Sequence, residues 1–265
     1  MRIILSCLLL MLSLQMTAQP KQTSAEKTGG TLFQAGVASA FIGGLYHAVY
    51  SYPQLKQHGD FGLGAPDKLD GEIVMLNGKI YQTQYTGRTF EVKDTGSTSL
   101  AMVTFFKNKQ RIIVPYAMNK NELFRYLDST LQHPNTIYAI HINGAFDSVK
   151  TRAFPPPPQP WQPLASMLGS QHFFTFPHVT GDLVGYRLPL YLEALSIHGY
   201  HFHFLSSDKN HGGHIIDVIV RKGTVIEIDP LNGFSLAIPG SENFDRYNFE
   251  TDRKEELKSV ENGKK

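Results

Sequence analysis

The succession of short, strand-like segments separated by turn residues is the feature that most constrains this fold. Glu72–Leu76 and Lys79–Thr83 flank Asn77-Gly78, a dipeptide typical of two-residue β-hairpins. A second pair, Asn143-Gly144, and a turn near Thr180-Gly181 predict two further hairpins. The strands that these two turns would join are Thr136–Ile142 with Ala145–Lys150, and Phe173–Val179 with Leu183–Leu188.

Few segments have the spacing of a helix. Asn119–Gln132 is the clearest, because leucines recur on one stripe and Asn119 or Asn121 can cap its start. Two shorter helices are predicted at Ala38–Tyr46 and Asp252–Glu261. Few helices among many strands favour an α+β protein, dominated by strands and built on antiparallel or mixed sheets.

A proline-rich segment, Phe154–Pro163, divides the chain. Six of its ten residues are proline, so we expect it to be extended and stiff, with few backbone donors. It separates an N-terminal β-rich half with a helix, 31–153, from a C-terminal β-rich half that ends in a helix, 164–265. We expect the two halves to share one continuous core. In the second half a meander is predicted from Gly199–Leu205, His214–Arg221 and Thr224–Asp229.

Charge and hydropathy exclude several classes of partner. The 25 Lys and Arg residues nearly balance the 23 Asp and Glu residues, and no long basic block occurs. A nucleic-acid surface is therefore not predicted. No apolar run reaches the roughly 18 residues that a membrane span needs, so no span is predicted either.

The first 18 residues have the pattern of a secretory signal peptide. Arg2 supplies the positive charge, Ile3–Leu14 is the apolar region, and Met16-Thr17-Ala18 offers a cleavage site. We expect an exported protein, periplasmic or secreted, whose residues 19–30 form a flexible leader. The only cysteine, Cys7, would be removed with the signal, which leaves a mature chain without a thiol.

Five of the eleven histidines lie between residues 198 and 214. In a strand over 199–205, alternate side chains share a face, so His201 and His203 project together while Tyr200, Phe202 and Phe204 pack on the other side. Two imidazoles about 6.5 Å apart along a strand can converge on one ion. HxH is nevertheless a weak signal by itself.

A third ligand is predicted on the next strand. A hairpin centred on Asp208-Lys209 places His214 directly opposite His203, on the same face. His211 is an odd number of residues from His214, so it should face away. Three neutral imidazoles with an open position are typical of catalytic zinc sites. We therefore predict a metal site on a β-hairpin of the C-terminal half.

Three blocks of sequence resemble the alpha-acetolactate decarboxylases. The first block is His58–Gly64 (HGDFGLG) with Leu69–Glu72 (LDGE) shortly after it. The second is Arg152, just before the prolines. The third is Gly199–Phe204 together with His211–His214. The resemblance extends from about Thr31 to Glu261. It implies a carboxy-lyase that converts 2-acetolactate to acetoin and carbon dioxide, as in acetoin and butanediol biosynthesis, with zinc as its cofactor.

The resemblance also implies the site residues. The zinc ligands carried over are His201, His203 and His214, and the catalytic residues are Glu72, Arg152 and a glutamate near the C-terminus. Glu261 fits this last role, although Glu255 and Glu256 compete. Relatives often carry a threonine where this chain has Ala65, so a hydroxyl contact to the substrate is missing. The oligomeric state stays open, with a homodimer as one alternative.

The chemistry agrees with these residue types. Loss of carbon dioxide from acetolactate leaves an electron pair that must be stored on the neighbouring ketone oxygen, as an enediolate. A zinc ion that chelates the ketone and hydroxyl oxygens would stabilise that charge. Arg152 could hold the substrate carboxylate or an enediolate oxygen, and Glu72, with Glu261 or a water, could supply the proton.

Two alternatives remain at this point. A cupin-like metal enzyme also carries HxH on a strand, but it would usually place a glutamate four or five residues after the second histidine, where this chain has Ser207 and Asp208. An exported metal-binding protein would instead bind metal reversibly at an accessible site and show no turnover.

Overall fold

The fold is described here from a computed structural model, which covers residues 30–193 and 195–263. Within these residues, fifteen strands outnumber five short α-helices, which confirms the strand-dominated α+β class. No helix of this part of the chain is long and apolar enough to cross a membrane. The predicted signal peptide and nearly all of the leader lie outside the described residues, so export stays a prediction.

The first sheet, sheet A, is mixed. Its strands, in spatial order, are β15 (Gly233–Ala237), β1 (Thr31–Ala35), β7 (Ser97–Thr104), β3 (Phe61–Pro66), β4 (Glu72–Leu76), β5 (Lys79–Thr83) and β6 (Thr89–Glu91). A short strand, β2 (Tyr50–Ser51), also pairs with β7. β1 and β15 run parallel, whereas the other pairs are antiparallel.

The second sheet, sheet B, is antiparallel and closes partly on itself. Its order is β8 (Gln110–Ile113), β14 (Val225–Leu231), β10 (Ile137–Ala153), β11 (His172–Leu188), β12 (Gly199–Ser206), β13 (Gly212–Val220) and β9 (Met118–Asn119). β13 pairs with β10 as well as with β12. We call the closed set β10–β11–β12–β13 the ring.

Five α-helices and three 3-10 turns cover the sheets. The helices are α1 (Ala38–Ile42), α2 (Tyr52–Leu55), α3 (Lys120–Thr130), α4 (Glu242–Asp245) and α5 (Lys254–Asn262), and the 3-10 turns are Asp67–Leu69, Leu164–Ser170 and Leu190–Leu192. Asn119 caps α3 through a capping box with Glu122. Asp252 accepts a hydrogen bond from the Lys254 amide just before α5.

Hairpins were predicted at Asn77-Gly78, Asn143-Gly144 and Thr180-Gly181, and only the first is confirmed. Asn77 and Gly78 both have positive φ, at 53° and 74°, as a tight turn between β4 and β5 requires. The other two hairpins are wrong, because β10 and β11 each run straight through for 17 residues. Gly144 and Gly181 lie opposite each other in the β10–β11 ladder. A Cβ at Gly181 would lie 2.5 Å from the Leu205 carbonyl oxygen. This glycine therefore allows β11 and β12 to lie close together and does not form a turn.

The predicted C-terminal meander is correct in its strands but wrong in its last pairing. β14 pairs with the first part of β10, and β13 pairs with the last part. The turn at Lys222-Gly223 therefore connects β13 and β14, which pair with successive parts of β10, and it does not form a hairpin.

The proline-rich segment does not separate the two sheets. β8, β9 and β10 precede it in the chain but belong to sheet B, and β15 follows it but belongs to sheet A. One apolar layer joins the sheets, with Leu63, Val74 and Met102 from sheet A clustered with Val184 and Leu205 from sheet B. A second core fills the ring and lies under α3.

His141 links three strands of sheet B through its two ring nitrogens. Its Nε2 lies 2.9 Å from Asp182 Oδ1 on β11, and its Nδ1 lies 3.1 Å from Glu227 Oε2 on β14. Asp182 also accepts from Asn143 and from Lys209. Burial opposes a charge on the ring, but the two carboxylates outweigh it and raise the pKa of His141.

This raised pKa predicts a pH-dependent contribution to stability. Because folding strengthens proton binding at His141, its stabilisation is complete below the ordinary histidine pKa and is lost as pH rises through the raised value. We expect the difference in free energy of unfolding between the native protein and His141→Gln to shrink from pH 6 to pH 9 in urea titrations. The exposed His133→Gln serves as control, and a difference that grows with pH would contradict the assignment.

Candidate metal centre and active site

Three histidine side chains converge between the ring and sheet A. His203 and His214 are directly opposite in the β12–β13 ladder, which confirms the predicted register. His201, two residues before His203, projects from the same face, and one ligand nitrogen from each of the three lies within 4.8 Å of the others. Gly213, at φ +118°, allows this geometry, since a Cβ there would lie 2.8 Å from the Arg152 carbonyl oxygen.

His211 lies apart from this cluster, as strand parity predicts. Its ring stacks on Phe176 with centroids 4.7 Å apart, and the residue is exposed. Its chain position is only three residues before His214, but the direction of its side chain excludes it from the converging set.

Main-chain carbonyls decide which nitrogen two of the histidines present. His203 Nδ1–H donates to the Ile73 carbonyl at 2.9 Å, and His214 Nε2–H donates to the Glu261 carbonyl at 3.2 Å. A carbonyl can only accept, so His203 Nε2 and His214 Nδ1 keep their lone pairs. His201 Nε2 lies 3.1 Å from His214 Nδ1, while His201 Nδ1 is buried without a hydrogen-bond partner among the described residues.

Burial keeps the three imidazoles neutral. It lowers the pKa of His201 to about 3, and the nearby charge of Arg152 acts in the same direction. Burial also holds the pKa of His203 and of His214 well below the usual range. Neutral imidazole nitrogens are the form that binds zinc, so the donor set fits this metal.

Arg152 joins the two sheets at the centre of the site. It lies on β10 opposite His214, and its Nη1 donates to Glu72 Oε1 on β4 at 2.6 Å. Its Nη2 donates to the Val260 carbonyl at 3.3 Å, and its guanidinium lies 4.8 Å from the centre of the Phe154 ring. Arg152 Nε is buried and has no hydrogen-bond partner among the described residues.

Two carboxyl groups flank the histidines, that of Glu72 buried and that of Glu261 partly buried. Burial raises the pKa of Glu72 to about 7 against the opposing charge of Arg152, and it raises the pKa of Glu261 to about 7 in the same way. Glu72 Oε2 lies 3.6 Å from His203 Nε2. Glu261 Oε2 lies 3.8 Å from Nε2 of His201 and of His214.

The competing glutamates on α5 lie away from the site. Glu255 pairs with Lys258 at 2.7 Å, and Glu256 pairs with Arg253 at 2.6 Å. Of the three glutamates considered for the C-terminal position, only Glu261 reaches the histidines.

The remaining walls are apolar and include residues that the sequence did not single out. Ala65 lines the cavity, so its methyl group stands where a hydroxyl was expected in relatives. The other apolar wall residues are Phe41, Ile42, Leu63, Leu69, Leu100, Ala101, Met102, Phe154, Leu164, Ile197 and Val260. The carbonyls of Ile73 and Val260 were also missed, because a backbone contact leaves no side-chain signal in the sequence.

Comparisons with known proteins identify the family of this chain. The model of the alpha-acetolactate decarboxylase family matches residues 32–251. The alpha-acetolactate decarboxylase of Methanosarcina mazei is 34% identical over 230 residues, which cover 87% of this chain and 80% of that protein. The Methylococcus capsulatus protein of the same name is 33% identical over 208 residues, which cover 78% and 80%.

A solved structure extends the agreement to three dimensions. The X-ray structure of alpha-acetolactate decarboxylase from Bacillus subtilis strain 168 superposes with a TM-score of 0.84 at 26% identity, covering 87% of this chain and 99% of that one. The family match ends before α5, so the place of Glu261 in the site rests on the geometry described above. The match over most of the chain shows that this protein belongs to the alpha-acetolactate decarboxylase family.

Proposed function

We propose that this carboxy-lyase converts 2-acetolactate to acetoin and carbon dioxide at the site between the ring and sheet A. The observation that carries the proposal is the convergence of three neutral histidines, one arginine and two carboxyl groups in a single buried cavity. The test is to incubate the purified, metal-loaded protein with racemic acetolactate and to assay acetoin.

His201, His203 and His214 would hold the metal, and zinc is the ion that we propose. When bound, zinc supplies a Lewis acid for the negative charge that develops as carbon dioxide leaves. Three uncharged ligands leave the full double positive charge available. Apolar walls exclude water, and electrostatic stabilisation is stronger in a dry cavity.

Arg152 is suited to bind an anionic oxygen of the substrate. Its guanidinium is buried, and Glu72 and the Val260 carbonyl fix its orientation. The unpartnered Nε leaves one donor for a ligand. We propose that Arg152 binds the substrate carboxylate or the oxygen that gains charge after decarboxylation, since the planar guanidinium recognises such groups well.

The two carboxyl groups differ in their contacts, which suggests different roles. Glu72 accepts a short hydrogen bond from Arg152, so it orients the guanidinium as a carboxylate. Glu261 faces the histidines and is the group that we assign to deliver a proton to the carbon that has lost carbon dioxide. Addition of that proton converts the enediolate to acetoin and completes the reaction.

The first prediction at this site concerns the metal ligands. Alanine at His201, His203 or His214 should reduce bound zinc and lower turnover by more than the roughly 10–100-fold that is typical of changes outside the ligand set. His211→Ala is the matched control and should keep both, because its ring faces Phe176. Zinc content and acetoin formation are measured in all four variants.

A different pattern would contradict the ligand assignment. If His211→Ala lost its zinc while His214→Ala retained it, the assignment of His214 would be wrong.

The second prediction concerns Arg152. Arg152→Lys keeps the charge but removes the planar fork, and loss of one charge-assisted hydrogen bond costs about 1.5–3 kcal/mol, or roughly 10- to 100-fold in rate. Turnover should fall by this factor while zinc content and the circular dichroism spectrum stay unchanged. Kinetics and metal analysis of the same preparation measure both.

Arg221→Lys is the control for this substitution. Arg221 pairs with Asp147 at the surface, so the same change there should leave turnover within about twofold. Normal turnover in Arg152→Lys would remove Arg152 from the mechanism.

A further inference from the structure

Only a small opening reaches the site in this structure. The three histidines, Glu72 and Arg152 are at most 6% exposed, whereas the side chain of Glu261 is 17% exposed. Arg152 is 3% exposed. Some part of the wall must therefore move before a small organic acid can enter.

Most of the wall is held by strand pairing. β3, β4 and β7 each have neighbours on both sides in sheet A, and β10, β12 and β13 belong to the ring. Displacement of any of these strands would break two ladders of hydrogen bonds. α1 is also fixed, because four of its five residues are buried.

α5 is attached much more weakly. Only Leu257 and Val260 are buried in its nine residues. Its first turn is held by polar contacts near the surface, with Lys254 Nζ 3.2 Å from Glu193 Oε2 and Arg253 Nε 2.8 Å from the Tyr247 hydroxyl. Segments with few buried apolar contacts open at low free-energy cost.

The last turn of α5 nevertheless completes the site. The Val260 carbonyl accepts from Arg152, the Glu261 carbonyl accepts from His214, and the Glu261 carboxyl faces the histidines. Both of these hydrogen bonds are longer than 3.1 Å. A small opening between α5 and α3, lined by Lys120, Phe124, Tyr200 and Asn262, already reaches His201 and His214 at this point.

We propose that α5 is the gate of the active site and that substrate enters where its last turn separates from α3 and β12. Opening breaks the hydrogen bonds from Arg152 to Val260 and from His214 to Glu261, and it withdraws the Glu261 carboxyl. The site that we propose for decarboxylation is then complete only when the gate is closed over the substrate. This inference rests on the proposed function only for the identity of the substrate.

Hydrogen exchange and histidine labelling test the gate without an activity assay. In the purified full-length chain, the amides of α5 should exchange at least tenfold faster than those of β12. After metal removal by a chelator, diethyl pyrocarbonate should label His201 and His214 at a rate limited by opening. Leu257→Ala removes one of the two buried anchors and should raise that rate about tenfold or more.

Leu127→Ala is the matched control. Leu127 is fully buried on α3, so its truncation destabilises the protein without freeing α5, and the labelling rate of the two histidines should stay within twofold. If Leu257→Ala does not fold, Lys254→Ala removes a surface anchor instead and should raise α5 exchange about twofold.

Two results would overturn the gate. One is exchange of the α5 amides as slow as that of β12, and the other is unchanged labelling of His201 and His214 in the α5 variants. Failure to form acetoin would overturn the proposed function but would not affect these measurements, so the two proposals fail separately.

Discussion

The pairing of β13 with two strands at once is the constraint on which the site depends. On one side β13 places His214 opposite His203 of β12, and on the other it places His214 opposite Arg152 of β10. His214 is thereby fixed against both His203 and Arg152. Close approach on the β10 side requires Gly213, since any side chain there would meet the Arg152 carbonyl. The ring thus sets the geometry before any metal or substrate binds.

Burial then imposes a second requirement, because charged groups in an apolar cavity need partners. The Arg152–Glu72 pair satisfies it and at the same time ties sheet B to sheet A. Removal of one partner from a buried ion pair typically costs about 3–5 kcal/mol, since the other charge stays behind. Arg152→Lys is accordingly a better probe of chemistry than Arg152→Ala, which would leave the Glu72 carboxylate unpaired.

Local sequence patterns predicted the parts of this structure that depend on residues close together in the chain. The His203–His214 register follows from strand parity and a symmetric turn, and Asn77-Gly78 forms the turn that its dipeptide favours. Asn143-Gly144 has the same dipeptide but lies inside β10, because pairing along its whole length with β11 outweighs local turn preference. The contact between Arg152 and Glu72 joins residues 80 positions apart in different sheets. No local pattern encodes such a contact, and only the family resemblance pointed to both residues.

The orientation of His203 and His214 by main-chain oxygens has a consequence for how this site can change in evolution. A carbonyl persists whatever side chain its residue carries, so mutations at Ile73 or Glu261 that preserve the backbone path leave the imidazole of His203 or His214 turned the same way. The backbone path therefore determines which ring nitrogen each of these two histidines presents to the cavity. A change of side chain at either carbonyl residue would thus leave the orientation of the two imidazoles unaltered.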